Sequence, residues 1–349
     1  MSARRALFLL VVTFVFGSIL VYPPLRFWSL LAPETPLPWV WAMALFATPF
    51  IVRFIHELKS NALMRTISAI VLTWIGISFL AFSLLLPLEL LIVFGVPSFP
   101  AAATALAILF VLSLYALYNA HPIHIHELEI TDSGFAKEIS LAQISDLHLG
   151  SRQPGLLKRV VSRVQTLQPD YVVMTGDIVD MHGITEAHLA PLKEIDVPVI
   201  FCIGNHERYV DLEDICARLA HNGVQVLRNS CYETDHIQFV GIDDAERRDQ
   251  VQLQISSLVP TPDKYRVLLY HRPDGAEDAA RWGIQLMLTG HTHRGQIIPF
   301  NFLVKRVFPR LYREYVVSGL TLYVSPGTGT WGPVMRLGSK CEITLIKLL

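Results

Sequence analysis

Charge is what this sequence has least of: 17% of its 349 residues are Asp, Glu, Lys or Arg, against 52% hydrophobic. With a mean hydropathy of +0.42, an ordinary soluble chain is excluded. Neither sign is in excess, because 29 Lys and Arg meet 30 Asp and Glu, which argues against a general nucleic-acid binder or a polybasic surface protein. Cysteine is scarce too. Cys202, Cys216, Cys231 and Cys341 form no C-x-x-C pair, so they read as ordinary core or surface thiols. No internal repeat or low-complexity tract is present, and a solenoid is excluded.

The little charge there is lies mostly after residue 120. Residues 1–120 carry Arg4, Arg5, Arg26, Arg53, Lys59 and Arg65 against Glu34, Glu57 and Glu89, which leaves 23 basic and 27 acidic groups for 121–349. The first third holds four apolar runs, at 6–22, 38–55, 67–86 and 101–118, each long enough to cross most of a hydrocarbon core of about 30 Å. Pro23 and Pro24 close the first, and Pro87 and Glu89 interrupt the third; the apolar stretch Leu88–Val96 is too short to cross alone. Tyr22, Trp28, Trp39 and Trp41 sit near the ends of these runs, where amphipathic rings settle at the headgroups.

Arg4 and Arg5 precede the first run, and Arg53, Lys59 and Arg65 lie between the second and third, while the other loops hold Arg26 alone. Positive loops face the cytoplasm. Four spans then return residues 121–349 to the cytoplasmic side, as expected for a multi-pass protein of a bacterial inner membrane. No charged residue falls mid-span, which argues against transport and for an anchor.

Beyond Ala120, short apolar runs alternate with helix-period segments, the mark of an α/β fold. Strands are expected at 141–145, 171–175, 197–203, 237–242, 266–270, 285–289, 321–325 and 342–346, and helices near 155–167, 186–195, 212–222 and 274–282. The expected division is a transmembrane anchor at 1–120 and one well-cored domain at 121–349.

Five polar clusters follow strand candidates: Asp146-Leu147-His148, Gly176-Asp177, Gly204-Asn205-His206-Glu207, His271 and Gly290-His291-Thr292-His293. In α/β sheets such strand ends gather ligand groups. Residues at i and i+2 of an extended segment share a face, so Asp146 with His148, and His291 with His293, can converge. Gly176, Gly204 and Gly290 stand where the chain must turn or approach closely. Carboxylate, imidazole and amide donors without thiolate favour Mn, Fe, Zn or a similar divalent ion.

This ordered set resembles the calcineurin-like metallophosphoesterase superfamily over residues 139–346. The four-run leader, Gly295-Gln296, Val324-Ser325-Pro326-Gly327-Thr328-Gly329, Gly332-Pro333 and Arg336 resemble its membrane-bound branch. The resemblance implies a four-layer α-β-β-α sandwich and two divalent metal ions. Asp146, His148 and His293 would hold the first ion, Asn205, His271 and His291 the second, and Asp177 would bridge both, with His206 catalytic. A hydroxide bridging the ions would then attack a phosphoester or pyrophosphate bond, and a site charge of about +1 would attract the phosphate.

The expected function is therefore a membrane-anchored phosphodiesterase or phosphatase acting on a phosphate ester, a lipid-linked one included, with the lipid bilayer as partner. Two alternatives stand beside it: a hydrolase resembling the UDP-diacylglucosamine pyrophosphatase of lipid A synthesis, and a catalytically silent membrane scaffold. Arg294 departs from the small residue the branch favours after the last histidine, and Arg294 and Arg336 are candidates for the substrate phosphate. Arg208 and Arg272 are weaker ones. His121, His124 and His126 read as strand-surface or interfacial histidines, while Asp180 and His182 could support the site or touch substrate. Asn301–Arg313 mixes aromatic, aliphatic and basic residues, a composition suited to an anionic membrane surface as well as to a solvated loop.

Overall fold

The computed structural model describes residues 3–131, 134, 135 and 137–349, with side chains of the first helix from Leu10 onward. The side chains of Arg4 and Arg5 lie outside that description. Two compact units divide the chain: Met1–Tyr118 with Gly332–Leu337, and Asn119–Trp331 with Gly338–Leu349.

The first unit is helical. Helices α1 (Ala3–Leu20) and α2 (Tyr22–Leu31) succeed one another, followed by α3 (Trp39–Leu58), α4 (Ala62–Val93) and α5 (Ser98–Asn119). Four candidate membrane spans result, by length and composition: Leu10–Leu31, Trp39–Leu58, Ala62–Val93 and Ser98–Asn119. The helix does break ahead of Pro23-Pro24, where α1 ends at Leu20 and α2 starts at Tyr22, but the expected interruption at Pro87 does not occur. Pro23 and Pro24 fall in the first turn of α2, where a missing N–H has no helical partner to lose. Helix α4 continues through Pro87, with Leu85 and Leu88 buried among the helices on either side of it, a setting that tolerates one lost backbone bond. Its 32 residues span about 48 Å at 1.5 Å each, more than one hydrocarbon thickness.

Two charges expected at run ends lie inside helices instead. Arg26 of α2 grips Glu89 of α4 through both guanidinium edges, Nε to Oε1 at 2.5 Å and Nη2 to Oε2 at 2.8 Å. Arg26 is thus neutralised by a partner rather than being a free loop charge. At the end of α3, buried His56 sets Nδ1 2.7 Å from Ser68 Oγ and Nε2 3.0 Å from Ser60 Oγ.

The second unit is built on strands β1 (Ile123–Ile130), β2 (Ile139–Ile144), β3 (Tyr171–Thr175), β4 (Val199–Cys202), β5 (Val224–Leu227), β6 (Ser230–Glu233), β7 (Ile237–Gly241), β8 (Tyr265–Leu269), β9 (Leu286–Thr289), β10 (Arg313–Val317), β11 (Leu320–Val324) and β12 (Cys341–Leu348). One sheet runs β1-β12-β2-β3-β4-β5 and the other β10-β11-β9-β8-β7-β6. Each has a parallel centre: β2 to β5 in the first, and β7, β8, β9 and β11 in the second.

Alternation along these strands makes the layers. Val172 and Met174 face a core shared with α6 (Gly155–Leu167) and α8 (Leu212–His221), whereas Val173 between them faces the opposite sheet. In β9, Leu286 and Leu288 face the first sheet, and Met287 packs outward with α9 (Gln250–Ile255) and α10 (Ala276–Trp282). Both faces of both sheets are buried, which is why these strands read as continuous apolar runs. The order is helix, sheet, sheet, helix, as expected. Two smaller helices, α7 (Glu186–Leu189) and α11 (Phe300–Val307), lie in the connections.

Candidate metal centre

The candidate ligands sit just past the carboxyl ends of β2, β3 and β4 in one sheet and β8 and β9 in the other, and the seven side chains come from these five loops. Asp146, His148 and His293 form one group of donors able to hold an ion, and Asp177, His271 and His291 form another; Asp177 also groups with His148 and His206. His148 Nε2 is 3.0 Å from His293 Nε2, and His293 Nε2 is 3.3 Å from Asp146 Oδ1. In the other group His271 Nε2 lies 3.0 Å from Asp177 Oδ2 and 3.2 Å from His291 Nδ1. An ion bound at about 2.0–2.1 Å spaces its neighbouring donors about 3.0–3.4 Å apart.

The donors fit divalent metal. Asn205 Nδ2 donates to Tyr209 Oη at 3.1 Å, while its Oδ1 is buried with no hydrogen-bond donor among the described residues. Such an orphaned carbonyl is costly unless something positive faces it. His271 Nδ1–H donates to the Thr175 carbonyl at 2.7 Å, which orients the ring and turns Nε2 toward Asp177. Asp180 Oδ2 lies 3.3 Å from His148 Nδ1 and accepts from Ser151, so Asp180 stands behind a candidate ligand.

Electrostatics point the same way. Burial opposes ionisation of Asp146 and Asp177, yet His293 beside the first and His271 beside the second hold both carboxyls below the usual range. Burial opposes a proton on His271 as well, but Asp177 and Asp146 outweigh it and push its pKa up to about 10. His291, buried and next to His271, falls to about 3. Two buried carboxylates thus draw in positive charge, which a divalent cation supplies more fully than a proton.

The convergence is achieved by backbone twist rather than by extended chain. Asp146, His148, Asp177, His291 and His293 have φ of 55°, 53°, 55°, 68° and 48°, the left-handed region that costs a non-glycine residue about 1 kcal/mol or more. The expectation of i, i+2 convergence on an extended segment is therefore corrected. Asp146 and His148 do meet, but His291 and His293 separate into different groups. Only the left-handed turns let consecutive ligands aim at two points.

Glu207 holds this arrangement together. Fully buried, it accepts backbone N–H bonds from Asp177 (3.0 Å), Ile178 (2.7 Å), Val179 (3.0 Å) and Gly204 (2.8 Å), tying the loop after β3 to the loop after β4. Burial and the Asp177 carboxylate push its carboxyl up to about 7, against the pull of those donors. A Cβ on Gly204 would collide with Asp177 Oδ1, and one on Gly290 with Ser145 Oγ and Asp146 Oδ2. These glycines are needed for close approach, as expected.

Residues 139–295 match the calcineurin-like phosphoesterase family. Over 227 residues the chain is 32% identical to a metallophosphoesterase of Aquifex aeolicus, a match covering 60% of this chain and 85% of that protein. The chain belongs to the calcineurin-like metallophosphoesterase family. It is also 34% identical over 276 residues, 72% of its length, to a transmembrane protein with metallophosphoesterase domain of Danio rerio. A Helicobacter pylori metallophosphoesterase is 32% identical over 238 residues, 65% of this chain. The matches span 63% and 62% of those two proteins' own lengths.

Of the remaining candidates in this metallophosphoesterase, His206 is beside the metal groups. Its Nε2 lies 3.9 Å from Asp177 Oδ2, its backbone N–H donates to Asp177 Oδ1 at 2.9 Å, and its ring sits against His148, Tyr209 and Trp331. Burial and His148 lower its pKa. Arg294 is exposed, with its guanidinium 4.3 Å above the Tyr312 ring. Arg336 is buried in the helical unit, where its N–H donates to Ala116 O at 2.8 Å. Arg208 Nε donates to the Asp244 carbonyl, and Arg272 packs over Phe308. His124 and His126 lie on β1, the latter 3.2 Å from Glu314 and stacked on Tyr323.

Proposed function

We propose that this metallophosphoesterase is an integral membrane hydrolase of phosphoester or pyrophosphate bonds, with residues 1–120 as its anchor and 121–349 as its catalytic domain. The observation that carries the reading is the buried meeting of two carboxylates and four imidazoles from two sheets, with the orphaned amide oxygen of Asn205 in one of the contributing loops. In it, Asp146, His148 and His293 would hold one divalent ion, Asn205, His271 and His291 would hold a second, and Asp177 would serve both. Bound there, divalent metal would supply Lewis acidity, making water acidic near neutral pH and offsetting charge on the phosphoryl oxygens.

The rest is work for the chain's own groups. Asp177 is oriented by the His206 N–H on Oδ1 and by Glu207, which holds the Asp177 backbone. His206, anchored through its backbone and with a partly accessible ring, protonates the departing oxygen. Tyr209 and Trp331 flank that ring and form the wall on the leaving-group side.

Orientation follows from charge. Arg53, Lys59 and Arg65 cluster around the junction of α3 and α4, against Arg26 alone on the opposite side, a bias that favours a cytoplasmic catalytic domain. The substrate is a phosphate ester, a lipid-linked one included, and the bilayer is the standing partner.

Hydrolysis of bis-p-nitrophenyl phosphate and p-nitrophenyl phosphate by the detergent-purified full chain with added Mn tests this, beside Asp177→Asn and His206→Ala. Metal-dependent turnover lost in both variants is expected. Turnover that persists in Asp177→Asn, or a chain that binds no metal, would overturn it.

A further inference from the structure

Helix α11 breaks the packing rule that the other helices of its unit obey. Where α6 buries Leu156, Leu157, Val160, Val161 and Val164, α11 buries none of its side chains. Phe302 is 68% exposed, Leu303 60% and Val307 50%, with Phe300 exposed beside them. Phe300, Leu303 and Val307 fall at i, i+3 and i+7, so they line one stripe of the helix. Arg306 borders that stripe and Lys305 lies on the opposite face of the helix, both exposed, and neither forms an ion pair among the described residues.

We propose that α11 is an interfacial helix that inserts its Phe300–Leu303–Val307 stripe into an anionic lipid surface, with Arg306 at the stripe's edge on the headgroups and Lys305 adding longer-range attraction to that surface. An apolar stripe with cations outside it is the composition of a helix lying in a membrane interface. The chain supplies that surface itself: the fourth candidate span ends at Asn119 and β1 begins at Ile123, and so short a tether keeps the domain at high effective concentration near a bilayer crossed by that span. A water-soluble domain would otherwise leave this stripe uncompensated.

The helix is wired to the candidate metal centre. Phe308, which ends α11, is buried with its ring 5.0 Å from that of His291, and the Arg272 guanidinium lies over the Phe308 ring at 5.2 Å. Docking α11 therefore sets the His291 loop at headgroup depth, which selects phosphate esters carried by an amphiphile. This inference rests on the membrane-anchored reading above.

The test uses the full chain in vesicles of phosphatidylcholine with phosphatidylglycerol, carrying Leu303→Cys labelled with an environment-sensitive fluorophore on a Cys231→Ser background. The other three cysteines are buried. A control label goes on exposed Leu253→Cys in α9. Expected are a blue-shifted emission at 303, quenching by lipid-borne spin label several-fold stronger than at 253, and weaker quenching in Lys305→Gln/Arg306→Gln. Vesicle flotation with equal quenching at 303 and 253 would overturn the docking and leave the anchoring standing. A blue shift without lipid quenching would mean that protein, such as a second copy, covers the helix, and would overturn it too. Failure to float would overturn both.

Discussion

Two polar clusters, one in each unit, are built in opposite ways. In the helical unit Arg26 and Glu89 satisfy each other through two hydrogen bonds, and His56 is bonded at both ring nitrogens. In the strand unit potential metal donors are pushed together instead: imidazole nitrogens face one another at 3.0 and 3.2 Å, and an amide oxygen has no hydrogen-bond donor among the described residues. Packing selects the first arrangement, because an unpaired polar group in an apolar setting is costly. The second is stable only with cations among the donors, so it reports function where the first reports architecture.

Removing an acceptor should break that contrast most sharply. Asp177→Asn takes away the charge within reach of both groups, and turnover should fall at least about a thousandfold with metal content reduced, read by hydrolysis and elemental analysis. Gly204→Ala comes next. Its Cβ would strike Asp177, and a shift of about 1 Å should cost roughly a hundredfold in turnover. Lost activity with some loss of stability is the expected pattern, because the Cβ also meets the Asp177 backbone N–H; unchanged turnover would show that Asp177 is not held by this contact.

Glu207→Gln should sharpen the comparison on the stability side. It turns an amide NH2 toward N–H donors that now find a carboxylate, and thermal unfolding should reveal a loss of about 2–4 kcal/mol. Glu89→Gln in the helical unit should be the mildest change. Both partners are roughly one-third exposed and Gln still accepts one bond from Arg26, so a loss of about 1 kcal/mol in detergent is expected.

Much of this was legible in one dimension, and the gaps have physical causes. Strand β3 and helix α6 match their expected bounds because their apolar periods are clean. Strands β1, β5, β6 and β10 went unread. They lie at or next to sheet edges, where burial is partial and the apolar signal is diluted. Arg26 and Glu89 were read as loop charges because their pairing joins residues 63 apart. Glu207 was visible beside His206, yet nothing local says that its carboxylate reaches back to the loop after β3.

The sequence by itself determined the α/β class, the apolar leader and the ordered strand-end clusters, since periodicity, hydropathy and residue type are local properties. Which ligands meet was decided only in three dimensions. Left-handed turns at five of them, close approach at Gly204 and Gly290 and the clamp of Glu207 depend on two sheets packing face to face. Each turn is unfavourable for the residue that makes it and persists because the surrounding core leaves no alternative.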